Sequence, residues 1–139
     1  MRILFFVLCS VFALSLSAQN TRVDGNQNTY VYHDNDTLTN AATVTQTCDK
    51  ALTYPYNYQI NVVSDSLSGS TAGTMTIYNK AYGQSEWVPI GSTITINGGL
   101  TYTAATGSVL SGTIKCVTVG SGTQSTRIGV DIAVIRKSQ

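Results

Sequence analysis

A chain of 139 residues has room for one domain with its own core and is too short for two ordinary ones. Only 11% of the residues are charged, 8 basic against 7 acidic. No stretch gathers the cations into the stripe that phosphate backbones demand, so nucleic-acid binding is not expected. Solubility must then rest on Ser, Thr, Asn and Gly, a surface common among exported β-proteins and virion proteins.

The chain begins with the layout of a secretory leader. Arg2 precedes the apolar run Ile3 to Leu16, and Ser15-Leu16-Ser17-Ala18 offers small residues where a signal peptidase cuts. The run falls short of the roughly 20 residues of a membrane-spanning helix. Cys9 follows Phe6-Val7-Leu8 and not a small residue, which argues against a lipoprotein anchor. The expectation is an exported protein with a signal peptide over 1–18, a flexible arm over 19–28 and one domain over 29–139. Loss of Arg2 with the leader leaves 7 basic and 7 acidic residues.

After the leader, apolar residues recur at every second position, the period of half-buried strands. Thr29 to His33 predicts a short strand and Asp34-Asn35-Asp36 a turn. Thr37 to Lys50 is Thr-rich, with a strand predicted over its second half, and Pro55 marks a sheet edge or the start of the next strand. From Tyr58, the run with Ile60 and Val62 on one face is followed by a Ser/Gly/Thr/Ala segment and then by Met75 and Ile77 in alternation. Lys80 to Ser85 reads as a turn, Glu86 to Ile90 as a strand broken by Pro89, with Trp87 in the core. Ser92 to Ile96 is a strand, and Asn97-Gly98-Gly99 predicts a hairpin returning through Leu100 to Ala104. Gly112 to Val119 and Thr126 to Ile135 are the last strands, joined by a tight loop over 120–125. The pattern predicts an all-β fold, a single antiparallel β-sandwich of seven to nine short strands, jelly-roll or immunoglobulin-like. Cys48, Trp87 and Cys116 come in immunoglobulin order, but Ile114 stands where that fold places a tyrosine.

Candidate chemistry is sparse. His33 is the one histidine, and Asp34 and Asp36 beside it fan apart on a turn more readily than they converge on a metal. The segment starting at Asp24 lacks the glycine and glutamate of a calcium loop, and Gly69-Ser70-Thr71-Ala72-Gly73 has Thr71 where a nucleophile elbow needs serine. Glu86, the one glutamate, would need Asp65 or Asp131 as a glycosidase partner. No catalytic, metal or cofactor residues are therefore assigned, and no enzyme is expected. After the leader the cysteines are Cys48 and Cys116. An oxidising compartment invites a disulfide, worth ~4 kcal/mol for a loop of about 70 residues, but a buried thiol fits Cys116 equally. Tyr54, Tyr56 and Tyr58 share one face, so they either plug the core or offer a stacking surface for glycans. Asn35-Asp36-Thr37 fits a glycosylation sequon.

The run from Ser64 to Asn79, the segment Glu86-Trp87-Val88-Pro89 and the closing hairpin from Cys116 to Lys137 together resemble small β-sandwich proteins encoded among structural genes of tailed bacteriophages and prophages. The resemblance covers Tyr58 to Lys137, with Asn79-Lys80-Ala81-Tyr82-Gly83 in place of that family's Asn-Asp-Gly turn. It implies a virion or tail-associated structural role, in which the sandwich packs against copies of itself or a neighbouring structural protein. The leader departs from that family, whose members assemble in the cytoplasm. From another class, a secreted carbohydrate-binding module would use the Tyr54, Tyr56 and Tyr58 surface.

Overall fold

The structure is a computed structural model that describes residues 20–23, 29–48, 51–97 and 100–137. The leader lies outside the described residues, as do the Asp24 segment and the Gly98-Gly99 pair. The described residues form ten strands: β1 (Asn20–Val23), β2 (Thr29–Thr39), β3 (Thr43–Thr47), β4 (Tyr56–Gly69), β5 (Ala72–Lys80), β6 (Val88–Pro89), β7 (Ile94–Asn97), β8 (Thr101–Val109), β9 (Thr113–Gly120) and β10 (Gln124–Arg136). No helix occurs among the described residues.

The strands form two antiparallel sheets. The first has the order β1-β2-β10-β4-β8; the second has β3-β9-β5-β6, with β7 also on β5. Alternation assigns the faces. In β10, Ile128, Val130, Ile132 and Val134 point inward and are buried, while Arg127 and Asp131 point out. Those residues, with Ile60 and Val62 of β4, share one core with Met75, Ile77, Ile96 and Ile114 of the second sheet. The buried Gln46 amide spans the two layers, its Nε2 donating to the Ile128 carbonyl at 3.0 Å.

Four sequence expectations are corrected here. Asp34-Asn35-Asp36 is no turn: β2 runs straight through it, because each of its residues pairs with β10. Part of the segment expected as a flexible arm, Asn20–Val23, pairs with β2 as an edge strand. The hairpin through Asn97 does not form, since β7 pairs with β5 and β8 with β4 in the other sheet. The stretch from Cys116 to Lys137 is likewise a crossing between sheets and no hairpin, β9 and β10 lying in different layers.

Three crossings, from β2 to β3, from β4 to β5 and from β9 to β10, meet at one end of the molecule, where the buried side chain of Gln124 ties them together. Its Nε2 donates to the carbonyls of Ala72, of Ser121 at 2.7 Å and of Asn40 at 3.4 Å. Its Oε1 accepts from the Ala72 amide at 3.3 Å and the Thr126 hydroxyl at 2.9 Å. One side chain thus bonds backbone groups on three corners.

Candidate functional site

The register places a row of polar side chains on the outer face of the first sheet. His33 of β2 lies opposite Asp131 of β10, Asn35 opposite Gly129, and Arg127 opposite Asp65 of β4. His33 Nδ1 is paired with the Asp131 carboxylate, and Asn35 Nδ2 lies 2.9 Å from His33 Nε2. Arg127 stands 4.0 Å from Asp65. Gly129 makes the space: a Cβ there would stand 2.6 Å from Asn35 Oδ1. Above it opens a hollow of about 240 Å³ walled by these residues with Val63 and Leu100.

This arrangement engages the imidazole on both sides. One tautomer fits both contacts, with Nδ1–H donating to Asp131 and Nε2 accepting from the Asn35 amide. Asp34 and Asp36 do not join His33. Asp34 points the other way, into the core, where it accepts from the Tyr32 hydroxyl at 3.2 Å. Burial holds its carboxyl above the usual carboxylate range, against the opposing pull of Tyr32 and the Asn35 backbone. Thr71 sits at a corner with its hydroxyl 3.0 Å from that of Thr126, and Glu86 is exposed beside Ser85.

The tyrosine surface is corrected by burial. Tyr56 and Tyr58 share a face, but it is the inner one, where they are 1% and 6% exposed. Burial raises both hydroxyls, and neither ring can be stacked on from outside. Tyr54, before the strand, is half-buried with the Arg136 guanidinium 4.6 Å from its ring centroid. The aromatic surface lies elsewhere. Trp87, expected in the core, is half-buried on the outer side of the second sheet, with the Lys115 ammonium 4.3 Å and the Lys80 ammonium 5.1 Å from its ring centroid. Val88 pairs with Asn79, so the register sets Trp87 beside Lys80, on the outward-facing side of β5. Cys48 and Cys116 are buried on adjacent strands as thiols and are not joined in a disulfide. Cys116 faces Gln46 across the β3–β9 ladder, and Cys48 bonds the Ile114 backbone, which sets the two thiols diagonally and not opposite each other. Burial pushes the Cys116 thiol up to about 12.

The feature with the clearest capacity for contact is β8. It pairs with β4 along all nine residues and with nothing on its other side among the described residues. Thr101-Tyr102-Thr103-Ala104-Ala105-Thr106-Gly107-Ser108-Val109 contains no charge and no proline. The other sheet edges are shorter: β1 and β7 have four residues, β3 five and β6 two. The second sheet does not reach over β8. Thr103 is exposed although it points inward, and a slot of about 420 Å³ opens beneath, walled by Tyr58, Ile77, Ile94, Thr95 and Ala105. Gly107 admits Tyr58 under the strand, where a Cβ would stand 2.4 Å from its hydroxyl. The sequence marks β8 as a strand only as far as Ala104, and its missing neighbour is visible only from the pairing.

No protein-family model matches the chain, and no curated protein matches it in sequence. Among solved structures, a chain from the structure of infectious bursal disease virus Gx strain is similar at 14% identity with a TM-score of 0.47. The match covers 80% of this chain and 34% of that one, so this chain spans about a third of that protein's length.

Proposed function

We propose that this chain is a non-enzymatic structural and interaction module that works by packing against copies of itself or a neighbouring structural protein, exported or built into a virion. The carrying observation is the uncharged, nine-residue free edge of β8. Proteins that remain monomeric blunt such edges with charge, proline or a covering loop, because unpaired N–H and C=O groups recruit another strand. Among the described residues that protection is absent, while the other edges are short.

Strand order supports the same reading. With β1 set aside and β6 and β7 taken together, the orders β2-β10-β4-β8 and β3-β9-β5-β6/β7 are those of a jelly-roll β-sandwich, whose chain changes sheet at nearly every connection. An immunoglobulin-like order, with successive strands paired in one sheet, does not fit. The sequence likeness to phage structural proteins over Tyr58 to Lys137 points to the same class of role. Light scattering on the full chain tests the reading: a stable multimer is expected, and a monomer at about 100 µM overturns it.

A further inference from the structure

We propose that two copies of this chain pair through β8, antiparallel about a two-fold axis at Ala105, so that their first sheets join edge to edge. The inference rests on the interaction-module reading and adds the partner, a second copy, and the register. Three observations favour a second copy. The strand has no charge, so an identical strand meets no repulsion, whereas a charged edge selects a partner of opposite sign. It projects past the second sheet, as the exposure of Thr103 records, so another edge can approach without meeting β7. A strand that pairs with its own copy antiparallel closes a two-fold dimer and leaves no further β8 edge open.

The register follows from the two ends. Leu100 and Leu110, 58% and 82% exposed, flank the strand, and Tyr102 between them is 74% exposed. Leu100 walls the outer-face hollow, and the even-numbered residues of β8 share that face. An axis at Ala105 sets Thr101 opposite the second copy's Val109, uses the whole strand, and brings Leu110 opposite the second copy's Leu100 at both ends. The pairing therefore covers two of the most exposed apolar side chains twice over. Moving the axis by one residue shortens the paired segment and separates the leucines.

Ala105→Cys in the full chain tests the axis, because it places two thiols face to face; the unsubstituted chain controls for native cysteines. Mild oxidation is expected to link Ala105→Cys into a covalent dimer. Leu100→Cys alone stays unlinked, since its two copies would lie about 33 Å apart at the rise of a strand, but it links when mixed with Leu110→Cys. Thr106→Lys, exposed and on the outer face, is expected to weaken dimerisation at least about tenfold with an unchanged circular dichroism spectrum. A multimer that survives Thr106→Lys with Ala105→Cys unlinked overturns β8 pairing and leaves the module reading standing. An open-ended series of masses overturns it in favour of head-to-tail assembly, and a monomeric chain removes both.

Discussion

Gln124 joins the corners at Asn40, Ala72 and Ser121 with one buried amide, and its removal breaks several part-buried hydrogen bonds at once. Gln124→Ala is therefore expected to cost about 2–3 kcal/mol, read as a lower denaturant midpoint with an unchanged slope. Asp34 works in the opposite sense. Its folded carboxyl holds a proton more tightly than the unfolded one, so stability falls as pH rises from the unfolded value through the raised folded value, and the cost persists at neutral pH. Asp34→Asn should raise the neutral-pH stability by about 1 kcal/mol, read as a higher denaturant midpoint, and flatten that acidic limb; a lower midpoint would show that the carboxylate is stabilising. The Cys116 thiol, pushed up to about 12, should resist thiol reagents at pH 8 until the protein is unfolded. At this scale the sequence was least informative. His33 and Asp131 are 98 positions apart and meet only through the register of β2 and β10. The tyrosine alternation was legible, but which side of the sheet it faced was not.

Strands were legible because their side chains alternate, and nearly every predicted run holds a strand. What links consecutive strands was not. A tight Gly-rich connection reads alike whether the chain turns back within a sheet or crosses to the other, and both expected hairpins cross. β8 was predicted only as far as Ala104; Thr106 to Ser108 bury almost nothing, so no apolar period marks them. Hydrogen exchange of the dissociated Thr106→Lys chain should find β10, paired on both sides, the slowest to exchange, and β8 fast at every second amide. Protection of β8 in the unsubstituted chain that grows with concentration would locate the contact there. On the other layer, Lys115→Ala removes a cation from the Trp87 face. It should shift the tryptophan emission at a cost of about 0.5–1 kcal/mol.

Repeated crossing governs the whole molecule. β4 and β5, adjacent in sequence, fall in different sheets, as do β7 and β8, and β9 and β10. Neither sheet can complete its ladders without the chain that also builds the other, and both bury their apolar faces in one core. Central β10 comes last in the chain, yet β2 and β4 both pair with it, so the first sheet stays in two pieces until the C-terminal strand arrives. Such non-local pairing predicts slow folding, in milliseconds to seconds, and a single cooperative transition. Unfolding followed by far-ultraviolet circular dichroism, which sees both sheets, should coincide with unfolding followed by the fluorescence of Trp87, which lies on the second sheet alone. Coincident curves are expected because the Gln46 and Gln124 side chains and the shared core couple the layers. A separate earlier transition at Trp87 would mean that the second sheet can open while the first stays paired, and that β8, carried on the first, could remain an interface after half the fold has gone.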